Sequence, residues 1–348
     1  MSEPARPEPR RRKRATIADI AERAGVTSSA VSLAVNGKRG VSDATRARIL
    51  EVARELNWRP SHAAQALMGK GAEAVGLVLA RPPEVIGEEI FFAKFIAGVQ
   101  ASLSERGYSL LLQMAQDMTA EITIHAGWIA DGRVDGSLVL DPRIDDPRIK
   151  SLAGLDHPTV VVGGDIDQGS VRSLRVDNGA AMRLVMEHLD ELGHARIAFV
   201  TGDQNFRHTQ ERMDAFSQFC IDRGIWGQSL AANFDPSMSR SATARLMSSP
   251  HPPTAIVYDS DVMTVAGLGE LTALGYAVPR DVSVVSWEDS ATCQVLHPTV
   301  TALNRDAVSL GRMAAAEMLE LLDHQSVEHS PVEVTVVARE STAAPARS

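Results

Sequence analysis

The sequence predicts a small all-α unit of the helix-turn-helix type, a short connector, and a large α/β core of two doubly wound parallel-sheet lobes. Three observations carry this. Helical patterns with capping and turn residues fill positions 15–60. From Glu73 onward, short apolar β-type runs alternate with helical patterns, the signature of parallel sheets covered on both faces. The chain has 348 residues, more than one core ordinarily fills and enough for two or three domains.

Charge divides the chain the same way. The net charge of −9, taken whole, argues against a nucleic-acid partner. Residues 1–70, however, hold 14 of the 35 Lys and Arg but 7 of the 44 Asp and Glu, so a unit of net +7 precedes a body of net −16. A basic helical unit on an acidic body is the electrostatic footprint of a DNA-reading module.

Residues 1–14 carry three prolines and no apolar pattern, and read as a disordered basic tail. The run Arg10–Arg14 either adds phosphate contacts or only solubilises the tail. Thr16 stands at an N-cap with Asp19 three positions on, and Ile17, Ile20, Ala21 and Ala24 form one apolar helix face. Gly25 permits the turn, Val26 plugs it, and Thr27 caps a second helix from Ser28 to about Asn36. That helix turns Ala30, Val31, Ala34 and Val35 inward and Ser28, Ser29, Ser32 and Leu33 outward. Early residues of such a second helix reach base edges in a helix-turn-helix. Ser42 or Asp43 caps a third helix, whose Ile49, Val52, Ala53 and Leu56 close the core.

Pro60 stops that helix, and Ser61 caps a slim segment with Ala63, Ala64 and Ala66. Leu67 is its one large apolar residue before Met68. About eight residues cannot hold a helix alone in water, so this connector over 61–71 needs a partner surface to fold.

In the body the expected strands are 75–80, 109–113, 136–140, 159–162, 196–201, 254–258 and 282–286. Helices are expected near 92–106, 119–131, 178–193, 208–224, 239–248, 260–275 and 305–323. Gly163, Gly164 and Asp165 are expected to end the last strand of the first lobe. The core is expected over 72–342, with a tail at 343–348.

The ordered words TIADIAERAGV, AVSLAVNG, VSDATRARI, LNWRPS and ALMGK, then ELGHARIAFVTG, VPRDVSVVSW and HPTVTAL, resemble the LacI/GalR family of transcription regulators over about residues 15–342. The resemblance implies a helix-turn-helix headpiece, a hinge helix and a periplasmic-binding-protein-like core. It implies a homodimer on a near-palindromic double-stranded operator, controlled by a small-molecule effector. Thr16, Thr27, Ser32 and Asn36 match backbone-contacting positions, and Ser28, Ser29 and Leu33 match base-reading ones. Ser61, Ala64 and Leu67 match the hinge, where the leucine wedges into the minor groove and kinks the duplex. Leu33 stands where many members carry Arg or His, and Leu, unable to donate to guanine, reads a thymine methyl or excludes polar edges. Ala30 replaces a frequent Thr.

Open α/β lobes bind ligands beyond the carboxyl ends of their strands. Arg81, Phe91 and Phe92 follow the first expected strand, with one of the two rings assigned to core. Ser260 and Asp261 follow the run TAIVY, and Ser260 stands where relatives often carry Asn. Asp165 is a cleft acceptor or a strand-end cap. By resemblance Arg212 holds effector hydroxyls or carboxylates, Phe234 stacks on the effector, and Glu288 replaces a shorter family Asp. Arg212 as a surface ion-pair residue is the competing reading. Arg, carboxylate and aromatic faces suit a sugar, and also a nucleobase.

No phosphate-binding loop, dinucleotide fingerprint, nucleophile elbow or zinc motif occurs, so no enzyme, metal or cofactor is expected. Cys220 and Cys293 read as buried thiols. The absence of an apolar leader or membrane-length run predicts a cytoplasmic protein without membrane contact. A solute-binding protein and an α/β enzyme with a DNA-binding appendage are the rival readings. The first would carry an export leader and the second a catalytic constellation.

Overall fold

The computed structural model describes residues 15–56, 58, 71–325 and 333–346. Its chain divides into two units, Met1–Lys70 and Gly71–Ser348.

The first unit holds α1 (Ile17–Ala24), α2 (Ser28–Val35) and α3 (Asp43–Glu55). Thr16, Thr27 and Ser42 cap them, each side-chain oxygen accepting from the amide three residues on. The Thr16–Asp19 pair forms a reciprocal capping box, and Gly25 turns the chain at φ 63°. Ile20, Ala21, Ala24, Val31, Ala34, Ile49, Val52 and Ala53 are the buried core, with Val26 and Leu56 packed against it. Arg46 of α3 adds a clamp absent from the sequence reading. It donates to the carbonyls of Ala34 at 3.1 Å and Lys38 at 2.7 Å, fixing the end of α2 and the loop after it. The basic tail at 1–14 and the connector, with Ser61, Ala64 and Leu67, lie outside the described residues.

The first lobe is a five-stranded parallel sheet of β1 (Ala74–Leu79), β2 (Ser109–Met114), β3 (Gly136–Val139), β4 (Thr159–Val162) and β5 (Val171–Leu174), in the order β2-β1-β3-β4-β5. Helices α4 (Pro83–Glu88), α5 (Ile90–Glu105), α6 (Met118–Ala130) and α7 (Pro147–Gly154) connect its first four strands. The second lobe holds β6 (Arg196–Thr201), β7 (Trp226–Ala231), β8 (Ala255–Tyr258), β9 (Ser283–Ser286), β10 (Thr301–Arg305) and β11 (Val334–Val337), in the order β11-β10-β9-β8-β6-β7. Its helices are α8 (Asn178–Glu191), α9 (Arg207–Arg223), α10 (Pro236–Met247), α11 (Asp261–Ala273) and α12 (Ala291–Val295). Phe199, Val257 and Trp287 bury one face of the second sheet, and Val200, Ile256 and Tyr258 the other.

Three expectations are corrected. The first lobe does not end at Gly163–Asp165; β5 follows as its edge strand, and the chain crosses at 175–177. The run Val-Arg-Ser-Leu is short and polar in its middle, so it carries no apolar β signal. The second sheet is not wholly parallel, because β11 runs antiparallel to β10. The intervening α13 (Ala307–Leu322) packs on the first lobe through Leu310, Ala314, Ala315 and Met318. A strand returning from that lobe enters the second sheet at its carboxyl edge, so it runs against its neighbours. Ala343 is also no loose tail, since its amide donates to Ser283 Oγ at 3.1 Å and its carbonyl accepts from the same hydroxyl at 3.1 Å.

Two glycines set how closely α5 and α13 pack. A Cβ on Gly98 would lie 2.0 Å from the Val308 carbonyl oxygen, and one on Gly311 2.1 Å from that of Phe95. Cys220 and Cys293 are free and buried. No described helix is long and apolar enough to cross a membrane.

Candidate functional site

On the headpiece, Ser28 and Ser29 are exposed at the start of α2, while Ser32 and Leu33 are half-buried one turn later. The Thr27 hydroxyl accepts from the Ala30 amide at 3.2 Å, and Asn36 Nδ2 donates to the Ser32 carbonyl at 2.7 Å. The Thr16 hydroxyl donates to Asp19 Oδ2 at 2.7 Å. These exposed or half-buried groups are thus held locally before any partner arrives. The α2 sequence holds no acidic residue, which leaves its positive amino end uncompensated toward an anion. Leu33 leans on the following loop: a Cβ on Gly40 would stand 3.2 Å from Leu33 Cδ1.

In the core, a cavity opens between the two lobes. Its walls are the chain segments just beyond the strands: Arg81 after β1, Asp141 after β3, Gly163 after β4, Asp259 and Ser260 after β8, Glu288 after β9 and Arg305 at the end of β10. Parallel strands of both lobes present their carboxyl ends there, which is why one rule about strand ends finds most of the wall.

Eight of the nine expected effector residues line this cavity: Arg81, Phe91, Phe92, Arg212, Phe234, Ser260, Asp261 and Glu288. Asp165 does not. Its carboxylate accepts from Arg207 Nη2 at 2.6 Å, tying the first lobe to α9 of the second. The Arg207 amide reinforces the tie by donating to the Pro142 carbonyl at 2.8 Å.

The charged residues are largely occupied with one another. Arg212, 3% exposed, donates to Asp259 Oδ1 at 2.6 Å and to Asn178 Oδ1 at 3.1 and 3.3 Å. Its guanidinium lies 4.1 Å over the Trp287 ring, so it is no surface ion-pair residue. Glu288 Oε1 accepts from Nε of Arg305 at 2.7 Å and also from its Nη2. Arg81 Nε donates to Asp141 Oδ2 at 3.0 Å, and its guanidinium lies 4.3 Å from the Phe206 centroid and 4.7 Å from that of Phe234. Phe234, expected to stack on the effector, lines the cavity and carries Arg81 over one of its faces. A Cβ on Gly202 would fall 1.9 Å from Phe234 Cζ, so only a glycine leaves room for the ring there. Phe234 itself holds φ 60°, a left-handed backbone that costs a bulky residue about 1–3 kcal/mol.

The two phenylalanines of α5 divide as expected. Phe92 is 1% exposed and part of the core, and Phe91 is the half-buried ring, with Arg305 5.0 Å over it. Ser260 caps α11, its hydroxyl accepting from the Met263 amide at 3.3 Å.

Two acidic side chains of the cavity wall lack complete partners. Asp261 Oδ1 and Glu89 Oε1 are buried without a hydrogen bond. Burial, opposed by Arg81 and reinforced by Asp141, Asp261 and Glu288, pushes the Glu89 carboxyl up to about 8. Burial, with Arg212, Arg81 and Arg305 nearby, drives the His208 imidazole well below its ordinary value. Its Nδ1 lies 3.7 Å from Asp141 Oδ1.

Glu89, Asp141, Asn178, His208, Asp259 and Arg305 were missed by the sequence reading. Asp141 and Asp259 directly follow apolar strands, so the strand-end rule could have found them. Arg305 ends a strand with no clear β signal, Glu89 sits between α4 and α5, and His208 lies in the first turn of α9, away from any strand end. Among the described residues, no group of three or more His, Cys, Asp or Glu is placed to hold a metal ion.

A family model for bacterial regulatory proteins of the lacI family matches residues 16–61, and one for a periplasmic binding protein-like domain matches 186–342. The chain is 34% identical to a LacI family transcriptional regulator from Bifidobacterium animalis subsp. lactis DSM 10140, which covers 80% of this chain and 100% of that one at a TM-score of 0.72. Against the Lac repressor dimer bound to operator and the anti-inducer ONPF, identity is 25%, coverage 95% and 100%, and the TM-score 0.82. The HTH-type transcriptional regulator CelR of Thermobifida fusca is 29% identical over 95% of this chain and 99% of its own length. A solved CelR–cellobiose complex is 28% identical, covers 94% of this chain and 100% of that one, and has a TM-score of 0.71.

Proposed function

The chain belongs to the LacI family of bacterial regulatory proteins, and from that premise we propose a dimeric transcriptional repressor whose grip on its operator is set by a sugar held between the two core lobes. The observation that carries this reading is the cavity itself, walled by strand ends of both lobes and crossed by polar side chains of each. Thr16, Thr27, Ser32 and Asn36 position the headpiece on phosphates, and Ser28, Ser29 and Leu33 meet base edges in the major groove. Residues 15–60 form the reading head, 61–71 the hinge that inserts Leu67, and 72–342 the sensing core. Such a protein works where the DNA is, in the cytoplasm.

The transmission route begins at Asp135. Its carboxylate accepts from the amides of Ala72 at 2.6 Å and Ala74 at 3.3 Å. The chain arriving from the connector is thereby bolted to the start of β3 in the first lobe. A ligand that changes the angle between lobes moves this bolt in each subunit and alters the spacing of the paired connectors. A coupling of about 1–3 kcal/mol changes operator affinity from several- to a hundredfold.

A sugar fits better than a nucleobase. The faces of Phe234 and Phe91 both carry a guanidinium, which leaves less flat aromatic surface for a planar ring than polar edge for hydroxyls. The CelR–cellobiose complex supports the same chemistry in a relative. The test is operator binding by fluorescence anisotropy, with sugars and nucleobases titrated in parallel. A sugar is expected to shift affinity at least about fivefold. A nucleobase as sole effector overturns the sugar, and no effector at all overturns ligand control.

A further inference from the structure

Each arginine lining the cavity is matched by a carboxylate: Arg81 by Asp141, Arg212 by Asp259 and Arg305 by Glu288. Two carboxyl groups remain in the wall. Asp261, 6% exposed in the first turn of α11, leaves Oδ1 without a partner, and Glu89, 8% exposed between α4 and α5, leaves Oε1 likewise. Resting on the reading above, we infer that Glu89 and Asp261 set the ligand's chemical class: a neutral polyhydroxylated molecule that brings hydroxyl donors to these two oxygens and carries no acidic group.

Three facts lead there. A buried acceptor without a donor is costly until something donates to it, and a sugar hydroxyl does so without adding charge. An acid would enter a site whose every guanidinium is already spent on a protein carboxylate, so its own desolvation would go uncompensated. His208 offers no spare cation, because burial and the three arginines keep its imidazole neutral. Glu89, held protonated toward neutral pH, can in addition donate to a ligand oxygen.

The experiment is calorimetric titration of the full chain with neutral mono- and disaccharides, cellobiose among them, each paired with its uronic acid and its phosphate ester. Neutral members are expected to bind, with their acidic counterparts at least about 10-fold weaker. The variant Asp261→Asn is expected to weaken the best neutral ligand about 10-fold and to narrow the gap to its acid. If that variant does not fold, Asp261→Ser is read for the same narrowing. An acid binding as tightly as its neutral parent overturns the inference, and so does a gap unchanged by the substitutions. A panel without a binder, while some other metabolite shifts operator affinity, overturns the inference alone. No metabolite shifting operator affinity overturns the ligand-controlled repressor with it.

Discussion

Arg81 of the first lobe lies 4.7 Å over the ring of Phe234 in the second, so two residues of the cavity wall, both expected to meet a ligand, also meet each other. Phe206 covers the guanidinium at 4.3 Å, and Asp141 holds its Nε at 3.0 Å. The pair acts as an inter-lobe latch beside the cavity, parallel to the Asp165–Arg207 tie.

Breaking the latch has a measurable effect. Arg81→Ala removes the stacked cation and leaves Asp141 without its donor, which is expected to cost about 1.5–3 kcal/mol in urea unfolding of the core. Arg81→Lys keeps the charge but not the planar stack, and is expected to recover only part of the loss. An unchanged unfolding midpoint in Arg81→Ala would show that the latch contributes nothing.

The α5–α13 contact tolerates no methyl group. In Gly98→Ala the new Cβ would meet the Val308 carbonyl oxygen at 2.0 Å, and backbone cannot rotate aside as a side chain can. A destabilisation of about 1–3 kcal/mol is expected. Gly87→Ala in α4, with nothing within 4 Å of its Cβ, is the control. Equal behaviour of the two variants would contradict the close packing.

Acid should loosen the first lobe. His125 Nδ1 and His157 Nε2 both lie 3.1 Å from the Ser137 hydroxyl, and burial holds both imidazoles down at about 4. The unfolded chain takes up these protons near 6.5, while the folded chain resists until about 4. The stability these two imidazoles contribute is therefore complete above pH 6.5 and falls as pH drops toward 4. Between pH 7 and 5 the expected loss is about 1–2 kcal/mol per imidazole by chemical denaturation. Glu89 and Glu121, pushed up to about 8 and about 7 by burial, change stability in the opposite sense over the same window. The imidazole part is therefore read as the difference between the chain and His125→Gln, and no difference would rule out a neutral buried His125.

Sequence preference should follow position 33. Leu33 is the half-buried apolar residue on the reading helix, leaning on Gly40. Leu33→Arg is expected to move preference toward guanine at one base pair of each half-site, by about 1–3 kcal/mol. Selection from random duplexes reads this directly, and an unchanged preferred site would remove Leu33 from the base-reading set.

Local chemistry determined the headpiece from the sequence alone. Thr16, Thr27 and Ser42 cap helices because their hydroxyls reach amides three residues away, and Ile20, Val31 and Ile49 meet because helical spacing puts them on inward faces. The same locality made β4 and β6 legible at their observed bounds and brought eight residues to the cavity wall. β5, β7, β10 and β11 were not legible, because short or half-polar strands take their order from neighbours rather than from their own pattern. Partner choice lay wholly with the tertiary structure. Arg212 with Asp259, Arg81 with Phe234 and Asp165 with Arg207 join residues 47, 153 and 42 positions apart. No local rule couples such positions; a buried charge takes whatever counter-charge the fold delivers, and what remains unpaired at Glu89 and Asp261 is left for a ligand.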